Sequence, residues 1–365
     1  MNKVSSALGV VLLGLVAIML IAPTPARAQA GATAVPWLLI APTSRISAMG
    51  EAGTGWVDDA SAIFWNPGAL AFQKESEVSL THANWLPKFN MSDLFYDYLN
   101  FKMPVEAIDG VVSASVTYLN LGKFTVTNES GPTPIGEFKS YEYAVTAGYS
   151  TLIGGTWGLG FNLRFIHSAL SPIGTAQEQG NGISSGVSFD VATMWRPQGE
   201  GILKGFSLGV NLSNVGPKIT YIDAAQADPL PTNLRVGLGY TLLDDEFNHL
   251  QLAFDANRTI VKKDSTGSDA VWKALFTTWG LDSQIKRWQV GVGAEYWYGS
   301  PRLLALRAGY FSESKKFGGR NFATFGAGVR YDIFGLDFSY IAGPEDLPLS
   351  DTIRFSVMIG WGGAN

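Results

Sequence analysis

The sequence predicts an all-β protein, namely a 14-stranded antiparallel transmembrane β-barrel whose N-terminal segment plugs the lumen. Three observations support this prediction. Apolar and polar residues alternate with a period of two through most of the chain, which is typical of strands with two different faces. Past residue 30 no apolar run reaches the roughly 18 residues of a membrane-spanning helix. Charged residues make up only 16% of the chain, against about 25% in soluble domains.

The N-terminus predicts a cleaved secretory signal peptide. An uncharged apolar run over 8–22 precedes a small-residue cleavage site at Ala26-Arg27-Ala28, with a second possible site after residue 30. The run is shorter than the about 20 residues of a spanning helix and two prolines follow it, which favours cleavage over a membrane anchor. The expected domains are a signal peptide over 1–28, an N-terminal periplasmic or plug segment over 31–72 and a transmembrane barrel over 73–365.

The alternation gives each predicted strand an apolar face for lipid and a polar face for a barrel interior. Between Leu234 and Tyr240, for example, large apolar residues alternate with Arg235 and two glycines. A soluble sandwich would instead bury its apolar face against a second sheet. We expect about fourteen strands with these approximate bounds: 77–85, 95–103, 110–122, 140–151, 156–168, 184–196, 205–215, 232–242, 249–260, 288–298, 303–313, 322–332, 334–341 and 351–361.

The predicted connections between these strands alternate in length. Those after even-numbered strands are mostly short, such as 153–155 and 299–301. Short periplasmic turns alternating with longer outer loops are the pattern of bacterial outer-membrane barrels, and a soluble sandwich has no reason to show it. Several connections after odd-numbered strands are long: 123–139, 169–183, 216–231 and 261–287. Aromatic residues at strand ends fit interfacial girdles: Tyr149, Trp157, Trp195, Tyr240, Trp288, Tyr298, Tyr340 and Trp361.

The stretch from about Val35 to Ala71 breaks the alternation and is rich in small residues, and it is long enough to enter the lumen as a plug. Within it, the segment 44–70 reads SRISAMGEAGTGWVDDASAIFWNPGAL and resembles the N-terminal signature of the FadL-like outer-membrane proteins. Gly68 is a small departure, since family members often carry alanine after the Asn-Pro pair. The signature residues are Arg45, Met49, Gly50, Asp58, Asp59, Asn66 and Pro67.

Within that superfamily, the mature chain is most similar to the PorV family of the type IX secretion system, with the related PorQ proteins as the nearest alternative. The similarity rests on the segments 214–241, 292–310 and 325–340. It implies an outer-membrane component that is not itself the protein-conducting pore. It further implies three kinds of partner: a large SprA-like translocon barrel, the C-terminal signal domains of secreted cargo, and a PorU-like component of the cell-surface attachment machinery.

Two other functions stay open. A FadL-like transporter of hydrophobic small molecules should have a continuous apolar tunnel and a lateral wall opening. A surface enzyme acting on lipid should bring a serine, a histidine and a carboxylate together near the outer rim. His82, His167 and His249 show no metal-ligand spacing and no G-x-S-x-G motif occurs, so we expect no catalytic site, no metal and no cofactor. The net charge of −5 argues against nucleic acid as a partner. Outer-membrane lipid is expected to surround the predicted barrel.

Following the alternation inward predicts charges of both signs on the lumen face. Such a set is expected to form ion pairs and hydrogen bonds around the plug, with a polar solute site as the alternative. It also argues against a fatty-acid channel, whose interior should be more apolar. The predicted lumen charges are Glu142, Arg164, Asp190, Arg235, Asp255, Glu295, Arg307, Arg330, Asp337 and Arg354.

The predicted loop over 261–287 contains an unusual apolar cluster. Exposed apolar patches often mark partner-binding sites, so this loop is a candidate docking surface. A short helix packed on the barrel rim is the alternative interpretation. The candidate docking residues are Trp272, Leu275, Phe276 and Trp279.

Overall fold

The computed structural model describes residues 33–89, 93–128, 131–171, 182–221, 223, 226–264 and 267–362. The predicted signal peptide lies outside these residues. Fourteen antiparallel strands close into one barrel in which each strand pairs with its sequence neighbours and the last strand pairs with the first. The predicted fold class is therefore confirmed.

The barrel strands, labelled in chain order, start and end within a few residues of the predicted bounds at most positions. They are β1 Ser76–Asn84, β2 Phe95–Val105, β3 Gly110–Asn128, β4 Gly131–Ile153, β5 Trp157–Ala169, β6 Ile183–Trp195, β7 Phe206–Val215, β8 Asn233–Asp244, β9 Asn248–Thr259, β10 Gln289–Tyr298, β11 Leu304–Glu313, β12 Asn321–Tyr331, β13 Phe334–Ala342 and β14 Ile353–Trp361.

The helices are short. Two lie before β1, namely α1 Ser44–Ser47 and α2 Ala62–Trp65, and α3 Val271–Thr277 lies between β9 and β10. In the described part of the chain, none is both long and apolar enough to cross a membrane. Two-residue strands pair between β9 and β10, at Lys263–Asp264 and Gly267–Ser268. Single 3-10 turns occur at Pro36–Leu39, Pro67–Phe72, Pro87–Phe89, Glu106–Ile108, Gly201–Leu203, Thr278–Gly280, Ile285–Arg287 and Lys315–Phe317.

The prediction of a long loop over 123–139 is wrong, because β3 and β4 continue into this region as a hairpin. Their ladder runs on to the pair Val126 and Gly136, and the rings of Phe124 and Phe138 stack 5.6 Å apart. A register shift between Asn120 and Gly122 interrupts the ladder. This irregularity breaks the period-2 pattern, which hid the continuation of the strands in the sequence.

The outer wall is apolar and the inner wall is polar, as the alternation requires. Leu163 and Leu306 point outward with 64% and 65% of their surface exposed. Aromatic pairs mark both ends of the wall, including Trp157 with Trp195 at one end and Tyr118 with Tyr141 at the other. This distribution fits a barrel surrounded by lipid between two aromatic girdles.

The two ends of the barrel differ in their connections. At the near end, where β1 begins and β14 ends, the turns 106–109, 154–156 and 332–333 are short. The far end carries the β3–β4 hairpin and the long connection between β9 and β10. This asymmetry assigns the near end to the periplasm and the far end to the cell exterior.

The assignment predicts an all-or-none labelling result, since the chain contains no cysteine of its own. Ile135 lies in the far-end hairpin with 61% exposure, so Ile135→Cys should react with a membrane-impermeant maleimide on intact cells. Ala107→Cys, in an exposed near-end turn, should react only after the outer membrane is permeabilised. The reverse pattern would place the long loops in the periplasm.

Candidate functional site

The segment before β1 lies inside the barrel and runs from the far end to the near end. Near its beginning, the Ala34 N–H donates to the Pro229 carbonyl in the connection between β7 and β8, 2.9 Å away. At its end, Gln73 accepts a hydrogen bond from Lys102 of β2. Many of its apolar side chains, such as Ile46 and Met49, are completely buried. We call residues 33–75 the plug.

Glycines on the inner wall bring the plug backbone into direct contact with the strands. A Cβ atom at Gly209 would lie 1.9 Å from the Thr54 carbonyl oxygen, and one at Gly309 would lie 2.1 Å from the Gly50 nitrogen. Gly50 itself has φ +64 and no room for a side chain, which explains the glycine of the Met49-Gly50 pair. The inner-wall glycines at which a Cβ atom would meet plug backbone atoms are Gly158, Gly160, Gly209, Gly237, Gly239, Gly291, Gly293 and Gly309.

The Asn66-Pro67 pair fixes the second half of the plug. The Asn66 side-chain amide donates to the carbonyls of Thr54 and Thr193, at 2.8 and 3.0 Å, and its oxygen caps the following helical turn by accepting from the Gly68 N–H. Thr193 lies on β6, so one buried side chain joins two parts of the plug to the wall. An asparagine is suited to this position because it offers both donors and an acceptor.

Arg45 is the centre of the ion pairs between plug and wall. Its guanidinium donates to both Glu295 oxygens at 2.8 and 2.6 Å, to Asp58 at 2.5 Å and to Asp59 at 2.9 Å. Arg45 is 6% exposed and Glu295 is 1% exposed. Burial lowers the pKa of the Arg45 guanidinium, but the carboxylates of Asp58, Glu295 and Asp59 offset this and raise it. Burial also raises the Asp58 pKa, and the charges of Arg45 and Arg302 reverse that effect and lower it.

The chain of charges continues along the wall from Glu295. Arg307 donates to Glu295 at 2.6 Å and to Asp337 at 2.7 Å, and Arg330 donates to Asp337 at 2.6 Å. Four of the ten predicted lumen charges therefore join Arg45 in one cluster. The sequence placed Arg45 in the plug signature but gave no sign that it connects to β10.

A second pair lies on the neighbouring part of the wall. Arg164 donates to both oxygens of Asp190, at 3.1 and 2.7 Å, and Asp190 also accepts from Asn162 and from the Asn214 backbone. Within the described residues, the other four predicted lumen charges form no ion pair. Arg235 lies over the rings of Phe64 and Trp65, Asp255 accepts from the backbone N–H groups of Gly53 and Thr54, Glu142 accepts from Ser168, and Arg354 lies over Trp85.

Six of the ten predicted charges thus lie in two ion-paired clusters, and the other four make no ion pair with a described residue. Lumen charges often hold the plug through its backbone or its aromatic rings. The prediction also omitted Glu77 and Lys102, which face inward from β1 and β2 with 3.5 Å between them. The period-2 alternation of these two strands could have identified both.

An open space lies at the near end of the barrel. A cavity of about 710 Å³ opens there between the plug and the strands, lined among others by Asp58, Lys102 and Arg302. The gap between Trp37 of the plug and Arg164 of the wall has a volume of only about 10 Å³. That is about the space of one water molecule, so the plug fills this part of the lumen.

The four candidate docking residues lie in the loop between β9 and β10, and the structure separates them. Trp272 and Phe276 of α3 are 69% and 80% exposed, whereas Leu275 is partly buried. Trp279 packs its ring 4.5 Å from the Arg258 guanidinium of β9. The loop therefore contains a short packed helix together with exposed apolar side chains, and its docking role stays a prediction.

The histidines do not assemble a hydrolytic triad among the described residues. His167 Nδ1 lies 2.8 Å from Ser185 Oγ on the neighbouring strand, and no carboxylate bonds to that imidazole. His82 and His249 each contact an aspartate instead, Asp97 and Asp244. No group of three His, Asp or Glu residues in the described ranges could hold a metal ion.

Comparison with known structures identifies the same fold at very low sequence identity. A TodX deltaS2S3 mutant, a monoaromatic hydrocarbon channel, matches at 10% identity and TM-score 0.53, covering 88% of this chain and 98% of that one. The Ralstonia pickettii toluene transporter TbuX matches at 11% identity and TM-score 0.51, covering 87% and 97%. The P. putida toluene transporter TodX matches at 12% identity and TM-score 0.50, covering 87% and 96%. At such low identity these matches show that the chain shares the barrel fold of these proteins.

No curated protein sequence matches the chain at a significant level. The family model described as type IX secretion system protein PorV matches residues 24–266, which is more than half of the chain. The predicted resemblance to the PorV family is thereby confirmed. The chain belongs to the PorV family and is a bacterial outer-membrane β-barrel component of the type IX secretion system.

Proposed function

We propose that this barrel binds the C-terminal signal domains of secreted cargo together with a SprA-like translocon, and delivers the cargo to a PorU-like attachment component. Two observations together support this proposal: the chain belongs to the PorV family, and the plug fills part of the lumen. Its mechanism is recognition by the surface of the barrel and not catalysis. The domain division into a signal peptide over 1–28, a plug over 31–72 and a barrel over 73–365 is part of the same proposal.

The lumen supports a recognition role because the plug is held by buried contacts along its whole length. Arg45, Asn66 and the inner-wall glycines join it to several different strands. Interiors of larger barrels form channels, whereas small barrels are filled by side chains or hold a single ligand. A folded cargo domain would therefore have to meet this protein on its outside.

The far end offers the surface for such a partner. The β3–β4 hairpin extends beyond the spanning region and exposes Phe124 and Ile135, at 40% and 61%. The loop between β9 and β10 adds the candidate docking residues Trp272, Leu275, Phe276 and Trp279. We propose that these two elements form the rim on which cargo and translocon assemble.

Affinity purification of the tagged protein from native outer membranes, followed by mass spectrometry, tests the proposed function. We expect recovery of a very large barrel together with proteins that share a common C-terminal domain. Recovery of the barrel alone, with bound fatty acid or another hydrophobic compound, would contradict the proposal and favour a FadL-like transporter.

Deleting residues 266–280 should leave a folded barrel but abolish recovery of these partners. The loop lies outside the strand ladder, so its loss removes no wall hydrogen bond between β9 and β10. Folding is checked by heat-modifiable migration on gels, and partner recovery by mass spectrometry. Ala107→Ser in a near-end turn serves as the control and should recover all partners. If the deletion variant recovered the same partners as the native protein, this loop would not be part of the docking rim.

A further inference from the structure

The loop between β9 and β10 covers part of the outer wall of the barrel. Asp255 of β9 faces the plug, so the alternation turns Arg258, three residues later, toward the outside. Arg258 is nevertheless only 1% exposed. Its Nη2 donates to the Thr278 carbonyl at 2.9 Å, and the Trp279 ring lies over its guanidinium. The turn that follows α3, with Thr278 and Trp279, therefore lies on the lipid-facing side of the barrel and not over the lumen.

The exposed apolar residues of α3 and of the 3-10 turn that follows it form a stripe that continues from this side of the barrel. Trp272, Phe276 and Trp279 follow the i, i+4, i+7 spacing of one helix face. Ala274 and Thr278, on the other side, are buried. Because Trp279 contacts Arg258 and lies 6.5 Å from the ring of Trp288, the stripe is continuous with the apolar outer wall.

The surroundings of the stripe are cationic. The segments 269–287 and 314–319 together contain five Lys and Arg residues but only two acids, Asp269 and Asp282. Lys273 keeps 62% of its side chain exposed although it pairs with Asp269 at 2.9 Å. Arg287 lies over the Phe317 ring at 4.6 Å, which brings the two segments together. The cations are Lys273, Lys286, Arg287, Lys315 and Lys316.

We propose that this loop is an interfacial anchor in the outer leaflet of the membrane. Trp272 and Phe276 lie among the outermost part of the acyl chains, and the surrounding lysines and Arg287 bind headgroups that carry a net negative charge. Aromatic and apolar side chains on one face with cations beside them are the composition of segments that lie in a membrane interface. Continuity with the wall favours lipid as the occupant over a soluble partner. This is the state of the barrel without partners, and a translocon barrel that docks on this loop would replace the lipid around Trp272 and Phe276.

A single fluorescent label tests the proposal, since the chain has no cysteine. Phe276→Cys carries an environment-sensitive fluorophore, and the protein is placed in nanodiscs of phosphatidylcholine and phosphatidylglycerol without any partner. Leu306→Cys on the outer wall is the lipid control, and Ile135→Cys in the far-end hairpin is the water control. We expect the label at position 276 to be quenched by brominated acyl chains, as at position 306, and to be shielded from iodide. Quenching by iodide alone, as at position 135, would overturn the proposal.

The headgroup contacts are tested in the same labelled protein by Lys273→Gln and Lys286→Gln. One cation near an anionic membrane surface contributes about 1 kcal/mol to membrane binding. Each substitution should therefore shift the equilibrium between membrane-inserted and solvent-exposed label about fivefold toward the exposed state. Discs of phosphatidylcholine alone should show no such shift. An equal shift in both kinds of disc would contradict the role of anionic headgroups. A label that is exposed in discs and becomes shielded only when translocon is added would identify the stripe as a protein contact instead.

Discussion

Arg45→Met is expected to lower the free energy of unfolding by about 3–5 kcal/mol, the usual cost of removing one partner from a buried ion pair. The substitution leaves the carboxylates of Glu295 and Asp59 buried without the guanidinium that now bonds to both. Methionine fills a similar volume and packs against Trp56, whose ring lies 4.8 Å from the guanidinium. The expected loss of stability therefore results from the missing positive charge and not from a cavity.

Urea titration in detergent micelles, followed by tryptophan fluorescence, measures this loss. Glu295→Gln should be destabilising by itself, and the double variant should cost less than the sum of the two single variants, since both remove the same contact. Lys88→Met is the matched control, because Lys88 forms an exposed pair with Asp351 and its removal should cause no measurable change. Strictly additive single variants would show that Arg45 and Glu295 are not coupled.

The barrel wall could be predicted from the sequence because alternation is a local property of each strand. Leu163 and Arg164, for example, face opposite sides wherever the neighbouring strands lie. The same pattern predicts which side chains face the lumen, and two of these, Arg307 and Asp337, form a buried ion pair in the structure. The β3–β4 hairpin was missed at Gly122, where one register shift interrupts the pattern.

The contacts of the plug could not be predicted in this way. Arg45 and Glu295 are 250 residues apart in the chain, and no periodicity relates a folded plug to the register of the wall. The alternation identified Arg235 and Asp255 as lumen charges but could not show that they bond to aromatic rings and backbone amides. In the sequence, the inner-wall glycines could be recognised only as small residues on the polar face. The structure shows that they lie where the plug backbone contacts the strand backbones.

Gly309→Val is expected to displace the plug while leaving the barrel closed. A Cβ atom at this position would lie 2.1 Å from the Gly50 nitrogen and 2.3 Å from the Met49 carbonyl carbon, and backbone atoms cannot move aside as a flexible side chain can. Overpacking a filled interior costs about 1–3 kcal/mol even where side chains give way. The β11 ladder to its neighbours does not involve the plug, so the strands should stay paired.

Ion conductance in planar bilayers distinguishes a displaced plug from an unfolded barrel. The native protein should be closed, and Gly309→Val should conduct while keeping heat-modifiable migration on gels. Gly360→Val is the matched control, because a Cβ there would meet only the Ser76 carbonyl at an ordinary 3.8 Å. That variant should stay closed. If Gly309→Val were closed and as stable as the native protein, the close contact between plug and wall at Gly50 would not determine how the plug is seated. A conducting variant that still recovers its partners would further show that the plug seals the lumen and that recognition takes place at the far-end rim.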